Sequence, residues 1–164
     1  MDPEGRTDGA VSMATIQIKG VEAEQTYPLR QAVLRPHQEL SETALPGDHS
    51  PGAAHFAAID RDGSPLGVVS VLLEPAPGEQ SAAWRLRGMA VAQDQRGQGV
   101  GSALFAAVVA RVASQGGGLL WCAARLSAEG FYLRHGMERI GSEWDEPFIG
   151  RHVAMTLTVP PEQF

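Results

Sequence analysis

Short runs of alternating or consecutive apolar residues divide most of this chain into predicted strands. Clusters of glycine, proline and aspartate separate these runs, as turns require. The run 66–73 is β-branched and largely apolar, which predicts a strand at the centre of a sheet. Gly20 is predicted to end the first strand, and an acidic turn of residues 143–147 to join the last two. The predicted strands cover residues 15–18, 55–59, 66–73, 83–91, 119–123, 137–144 and 151–159.

The predicted strand 83–91 has one unusually polar side. A two-residue period places Trp84, Leu86, Gly88 and Ala90 on one face and Arg85, Arg87, Met89 and Val91 on the other. Two arginines on one strand face predict that this face meets solvent or a charged group rather than the core.

Three segments carry helical signals. After Gly99 an apolar residue recurs every four positions until the glycines at 116–118, which predicts one long amphipathic helix. Thr26 is placed to cap a helix that Pro36 stops, and Ser127 to cap one that ends at Gly136. The resulting order β-α-β-β-β-α-β-α-β-β predicts a mixed α/β sheet.

Length and composition bound the architecture. A chain of 164 residues, 43% of them apolar, is enough for one domain with one core. Residues 1–12 are polar, glycine-bearing and without periodicity, so we expect a disordered N-terminal tail followed by a domain over residues 13–164.

Charge and cysteine content exclude several classes of protein. The formal net charge of -6 argues against a nucleic-acid partner and favours a cationic one. Cys122 is the single cysteine, so the sequence predicts neither an internal disulfide nor a cysteine-based metal site. A reducing cytoplasm is the expected compartment. No apolar run is long enough to predict a membrane span.

A glycine-rich turn at residues 95–101 is the strongest candidate for a binding site. It lies between a strand and the start of the long helix, where unpaired amides and the helix dipole attract a phosphate. A Walker loop would need a lysine after its glycines, and Lys19 is the only lysine. A dinucleotide fingerprint would need a third glycine where Ser102 or Leu104 stands.

The turn matches the pattern Arg-x-x-Gly-x-Gly at Arg96, Gly99 and Gly101. The strand Met89-Ala90-Val91 precedes it, and the segment from Phe131 to Gly136 follows it at a helix spacing. With these motifs the sequence resembles the GNAT superfamily of N-acetyltransferases. The resemblance implies a single α/β domain of about seven mostly antiparallel strands flanked by helices, with acetyl-CoA as acyl donor and an amine as acceptor.

The resemblance also implies roles for individual residues. The strand residues Met89, Ala90 and Val91 are expected to pair with the pantetheine arm and to supply a backbone N–H for the carbonyl oxygen. Tyr132 is expected to protonate the leaving thiolate. The expected phosphate-binding residues are Arg96, Gly97, Gln98, Gly99, Val100, Gly101 and Ser102.

The sequence does not decide which residue is the general base. Many relatives place a glutamate on the strand before the turn, and residues 84–91 contain no carboxylate. His152 and His55 are the alternatives. We favour His152 because the acidic residues 143–146 precede it and could attract a cationic amine. Cys122 lies in an apolar run, so a small buried hydrophobe is the preferred interpretation.

Two functions remain from the sequence. The first is an acetyl-CoA-dependent N-acetyltransferase in which a primary amine attacks directly in a ternary complex. The alternative is a non-catalytic module that binds or senses acyl-CoA. The absent strand glutamate supports this alternative, as do Ala123 and Ala124 where relatives often carry an asparagine. The sequence names neither the acceptor nor the assembly, for which a homodimer stays open.

Overall fold

One seven-stranded sheet organises the molecule, as a computed structural model describes it for residues 16–163. The expected tail at residues 1–12 lies outside this range. Three α-helical segments accompany the sheet, α1 (Tyr27–Leu29), α2 (Val100–Ser114) and α3 (Glu129–Arg134). The strands are β1 (Gln17–Val21), β2 (Ala54–Ile59), β3 (Pro65–Leu73), β4 (Trp84–Val91), β5 (Gly118–Arg125), β6 (Glu138–Glu146) and β7 (Gly150–Val159).

The sheet is mixed and mostly antiparallel, which confirms the predicted α/β class. Its strand order is β1-β2-β3-β4-β5-β7-β6, and every neighbouring pair is antiparallel except β4 with β5. The long helix α2 connects this parallel pair, as a crossover between parallel strands requires.

The sheet opens between its two parallel strands. β4 pairs with β5 only through Trp84 and Arg85. Beyond that point β5 continues in register with β7 as far as the Arg125 and His152 pair, while β4 continues along β3 to Val91. The facing backbone of β4 after Arg85 therefore has no strand partner, and a cleft forms at the carboxyl ends of both strands.

A bulge at Gly88 reverses the predicted alternation of β4. The register with β3 shifts between Val68 and Ser70, and Gly88 has a positive φ of 68° that suits glycine in a bulge. Leu86 packs in the main core, but Ala90 packs in a separate cluster. The expectation that Leu86 and Ala90 share a face is therefore wrong, because one extra residue rotates the strand.

Helix α2 covers one face of the sheet and supplies much of the main core. Its fully buried apolar side chains meet those of β3, β5 and β7. A Cβ at Gly67 on β3 would lie 2.9 Å from Val100 Cγ1, so this glycine lets the start of α2 approach the sheet closely. The buried α2 residues are Val100, Leu104, Phe105, Val108 and Val112.

The first helical segment begins earlier and is less regular than predicted. It starts as a 3₁₀ turn at Ala23–Thr26, and the Glu22 N–H donates to Gln25 Oε1. Thr26 occupies the N-cap position of α1, as predicted, but its side chain makes no capping hydrogen bond, because its hydroxyl donates back to the Ala23 carbonyl. After α1 the segment widens to a π-turn at Arg30–Leu34, before the predicted stop at Pro36.

Two predicted strand ends also change. Gly20 does not end β1, because it pairs with Phe56 in the ladder with β2. Residues 143–146 of the expected acidic turn belong to β6, which continues to Glu146, and the turn lies at residues 147–149. Across residues 16–163, no helix has the length and apolar character needed to cross a membrane.

Candidate active site

Two cavities meet at Tyr132 in the cleft between β4 and β5. The turn cavity, about 640 Å³, is lined by the glycine-rich turn, the end of β4 and α3. The arginine cavity, about 290 Å³, is lined by arginines of the first helical segment, β4 and β5. Tyr132 and Met89 line both, so a molecule in one cavity can reach a molecule in the other.

The glycine-rich turn presents unpaired amides to the turn cavity. Gly97 and Gly99 have φ values of 79° and 84°, a left-handed conformation that other residues rarely adopt. Helix α2 begins at Val100, and its first backbone bond runs from the Ala103 N–H to the Gly99 carbonyl. Among the described residues, the N–H groups of 97–102 have no backbone acceptor.

Most of the residues predicted for coenzyme binding line the turn cavity. They are Met89, Val91, Arg96, Gly97, Gly99, Val100, Gly101 and Ser102. Ala90 and Gln98 do not, and the Ala90 side chain is buried in the cluster on the other face. The Ser102 hydroxyl donates to His135 Nε2 at 3.0 Å, which leaves its backbone amide as the group available to a ligand.

The structure adds residues that the sequence did not single out. Gln95 lines the turn cavity from the 3₁₀ turn before the glycines, and Arg134 lines it from the end of α3. An arginine in the motif after Tyr132 was the available signal for the second of these. Arg125 follows the two alanines at the end of β5 and lines both cavities. It was not predicted from the sequence as a site residue.

Tyr132 is a neutral phenol at the junction of the cavities. Its side chain is buried, at 6% relative exposure, and burial raises the pKa of Tyr132 well above its ordinary range. Within residues 16–163 its hydroxyl has no hydrogen-bond partner. A phenol that keeps its proton and is free of an acceptor can donate a hydrogen bond to a ligand.

The Cys122 thiol is unreactive at neutral pH, although this residue lines the arginine cavity. Burial raises the pKa of the Cys122 thiol to about 12, so the nucleophilic thiolate does not form at neutral pH. Its Sγ lies 3.9 Å from Met137 Sδ in the core. The geometry agrees with the interpretation of Cys122 as a small buried hydrophobe.

His152 faces the arginine cavity with one ring nitrogen engaged. Its Nδ1 lies 2.9 Å from the Gly150 carbonyl, which can only accept, so Nδ1 carries the proton. In the neutral ring Nε2 is then a lone-pair acceptor. The indole of Trp144 lies beside the imidazole, with ring centroids 5.8 Å apart. Across β5, β7 and β6 the register aligns Arg125, His152 and Trp144.

His55, the other candidate base, belongs to a buried polar network. Its Nδ1 lies 2.6 Å from Ser70 Oγ, and its Nε2 donates to the Asp48 carbonyl at 2.8 Å. Both ring nitrogens are therefore occupied, and His55 does not line the arginine cavity. This histidine supports the loop that carries Asp48.

The acidic residues before His152 do not form a cation site in the cavity. Glu143 lies 3.1 Å from Arg139 Nη1, and Asp145 pairs with Arg151 at 3.9 Å on exposed surface. Only Glu146 lines the arginine cavity, where it accepts from Trp144 Nε1 at 3.1 Å. The expected attraction of a cationic amine to all three carboxylates is therefore wrong, because strand β6 points two of them at surface arginines.

The comparisons with known proteins now fit this geometry. The model of the acetyltransferase (GNAT) family matches residues 21–137. The chain belongs to the GNAT acetyltransferase family. Over 145 residues it is 32% identical to the uncharacterized N-acetyltransferase YitI of Bacillus subtilis (strain 168), with 88% of this chain and 97% of that protein covered.

Solved GNAT structures show the same fold. A GCN5-related N-acetyltransferase from Kribbella flavida superposes with a TM-score of 0.70 at 20% identity, covering 90% of this chain and 99% of that one. An aminoglycoside 6'-N-acetyltransferase complexed with coenzyme A gives a TM-score of 0.66 at 16% identity, again covering 90% and 99%.

Membership settles the reaction class. This GNAT acetyltransferase is an enzyme that takes an acyl group from acetyl-CoA. The turn cavity is suited to such a donor, since it combines unpaired amides at a helix start with an open strand edge. No group of three His, Cys, Asp or Glu side chains within residues 16–163 is arranged to hold a metal ion.

Proposed function

We propose that the protein transfers an acetyl group from acetyl-CoA to a primary amine by direct attack in a ternary complex. The observation that carries the proposal is the meeting of two cavities at Tyr132, one suited to the donor and one to the acceptor. A thiol nucleophile is not needed, and Cys122 stays protonated. Both substrates can therefore be held at once.

The glycine-rich turn holds the pyrophosphate in this proposal. The amides of residues 97–102 donate to its oxygens, and the α2 dipole adds positive potential. Arg96 and Arg134 line the same cavity and supply opposite charge. Met89, Ala90 and Val91 offer the open backbone edge of β4 to the pantetheine arm, so Ala90 acts through its backbone alone.

The acceptor amine loses its proton to His152. The Nδ1 proton is fixed on the Gly150 carbonyl, so Nε2 is the basic atom toward the cavity. A backbone N–H of the Met89–Val91 segment stabilises the negative charge that develops on the acetyl oxygen, because a fixed donor needs no reorientation during the reaction.

Tyr132 protonates the thiolate that leaves. Its side chain is buried, and its hydroxyl holds its proton and lies where the cavities join. A donor there raises the rate only if it strengthens its hydrogen bond as the sulfur gains charge. Phe131 packs beside it with ring centroids 5.1 Å apart, which restricts the phenol orientation.

A reducing cytoplasm is the compartment we propose. Cys122 is a free, buried thiol with no second cysteine to pair with anywhere in the sequence. The chemistry needs no disulfide. Localisation of the tagged chain by fractionation of its host cells tests this.

The test of the donor site is an isosteric change of charge. Gln95→Glu puts a carboxylate at the phosphate end of the turn cavity, and we expect coenzyme A affinity to fall about 10-fold or more by charge repulsion. Gln93→Glu is the matched control, since Gln93 is exposed on the same 3₁₀ turn and does not line the cavity. Titration calorimetry with coenzyme A measures both.

Equal affinity for coenzyme A in wild type and Gln95→Glu, with both variants folded by circular dichroism, would contradict phosphate binding at this turn. An equal loss in Gln93→Glu would mean that only the overall charge matters. Either outcome contradicts the placement of the donor.

A further inference from the structure

The arginine cavity is strongly cationic in a protein whose net charge is -6. Its walls come from the first helical segment, β4, β5 and the hairpin of β6 and β7, so residues far apart in sequence meet there. One carboxylate, Glu146, lies among them. The lining arginines are Arg30, Arg35, Arg85, Arg87 and Arg125.

Three of these arginines have acidic partners behind the cavity wall. Arg30 Nη1 and Arg87 Nη2 lie 2.8 and 2.9 Å from the buried carboxylate of Asp48. Arg85 Nη1 lies 3.0 Å from Glu74, and its guanidinium stacks 4.8 Å from the centroid of a Trp121 ring. These pairs fix the three side chains in place.

The other two arginines keep their charge for the cavity. Across residues 16–163, neither Arg35 nor Arg125 forms an ion pair with an acid. The Arg125 Nη2 donates to the Leu34 carbonyl, which holds it beside the segment that carries Arg35. Burial is the main cause that lowers the pKa of Arg35 and of Arg125; Glu146 partly opposes it at Arg35, and neighbouring arginines add to it at both residues. A bound anion would relieve that repulsion.

The wall also contains donors without acceptors. The Nε atoms of Arg30, Arg85 and Arg87 are buried and have no hydrogen-bond partner within the described part of the chain. Buried donors of this kind are normally satisfied by protein, water or ligand. All three side chains line the cavity, but these Nε atoms lie inside its wall, so they add positive potential to the cavity and not direct contacts for a ligand.

We propose that the acceptor is a small primary amine that carries a carboxylate close to its amino group, as an α-amino acid does. Arg35 and Arg125 bind the carboxylate, whose planar oxygens match a guanidinium fork. Glu146 and the Nε2 of His152 lie on the same cavity and receive the amino group. This inference rests on the proposed acetyl transfer, and it replaces the cationic acceptor expected from net charge.

Size supports a small acceptor. A cavity of about 290 Å³ is at the lower end of the range for small-molecule sites, roughly 300–1,000 Å³. Thr43 and Leu45 of the loop before Asp48 line one side of the cavity, and Ile149 of the turn at residues 147–149 lines another.

The test compares matched acceptors that differ in the carboxylate. One panel holds the proteinogenic α-amino acids, the second their carboxamides and decarboxylated amines, and the third aliphatic diamines. Thiol release at saturating acetyl-CoA measures kcat/KM for each, and titration calorimetry with coenzyme A present measures acceptor binding without turnover. We expect the best amino acid to exceed its own carboxamide and amine by about 10- to 100-fold.

Arg35→Gln should bring that ratio close to one, whereas Arg35→Lys should retain only part of it, because the ammonium keeps the charge and loses the fork. Arg61→Gln is the control. Arg61 is exposed on the β2–β3 turn and does not line the cavity, so this substitution removes the same charge elsewhere. A ratio that survives Arg35→Gln and Arg125→Gln would overturn the assignment. So would diamines or carboxamides that outperform amino acids in the wild type.

Calorimetry separates this inference from the proposed function. Amino acids that bind in an Arg35-dependent way without any thiol release would support the anion site and contradict acetyl transfer to them. Turnover of amines combined with no binding of any carboxylate would support acetyl transfer and overturn the anion site. Absence of both binding and turnover across all three panels would overturn it as well.

Discussion

Three buried side chains at the site differ in how their surroundings affect their protonation. Tyr132 and Cys122 are both buried near the junction of the cavities, and burial raises the pKa of each. The phenol remains a proton donor and the thiol remains unreactive. His152 is also buried, at 8% exposure, but its fixed Nδ1 proton leaves Nε2 for the cavity. In the proposed mechanism, burial keeps the proton on Tyr132 and leaves Cys122 unreactive, and the Nδ1 contact leaves the Nε2 of His152 as the acceptor.

Tyr132→Phe tests the proton donor directly. We expect kcat to fall by roughly 10²-fold, the usual scale for a positioned acid, while coenzyme A affinity stays within about twofold. The hydroxyl has no partner among the described residues, so the melting temperature should hardly change. Steady-state kinetics and calorimetry provide the two readouts.

His152→Gln should also lower kcat with coenzyme binding intact, whereas His49→Gln, on exposed surface, should not. An unchanged kcat in Tyr132→Phe would return Tyr132 to a packing role and leave water to protonate the thiolate.

At the scale of elements, most of the secondary structure could be predicted, since it follows from local periodicity. The period of four after Gly99 predicted α2, and the alternating runs predicted all seven strands within a few residues. The face of β4 after Gly88 could not be predicted, because a bulge depends on pairing with β3. The irregular geometry of the helical segment at 23–34 could not be predicted either, since its turns follow tertiary contacts rather than helix propensity.

One ion cluster connects three elements beneath the arginine cavity. Asp48 accepts hydrogen bonds from Arg30, Arg87 and the Leu45 N–H. Burial by itself raises the pKa of Asp48, but these hydrogen bonds outweigh it and hold the pKa well below its usual range. The loop, the first helical segment and β4 are thereby held in register around the cavity.

Asp48→Asn should destabilise the protein by about 3–5 kcal/mol, because it leaves Arg30 buried without a counterion and Arg87 with only Glu74, at 4.0 Å. Urea unfolding at pH 7 measures the loss, and Asp62→Asn in the exposed β2–β3 turn is the control. A folded-state pKa below the unfolded value of about 3.9 stabilises above that value, and this contribution fades as pH falls further. The gap between wild type and variant should therefore shrink below about pH 4. A constant gap would contradict an ionised Asp48.

At the scale of the whole molecule, the split sheet determines where the chemistry occurs. The cleft joins the glycine-rich turn, for which the motif predicted phosphate binding, to an arginine cavity that could not be predicted. Arg35, Arg85 and Arg125 lie on separate segments, and only the fold brings them together. In the sequence analysis, the net charge of -6 favoured a cationic acceptor. The net charge of a protein, however, does not determine the local electric field in one of its cavities.

The central claim is that both substrates occupy the cleft together and that the acetyl group passes directly to an amine. Initial rates of thiol release, with acetyl-CoA and the best acceptor varied against each other and the product identified by mass, test it most directly. We expect an N-acetylated amine and double-reciprocal lines that intersect, in Cys122→Ser as in the wild type. Parallel lines with an acetylated protein, or thiol release without an acetylated amine, would contradict it.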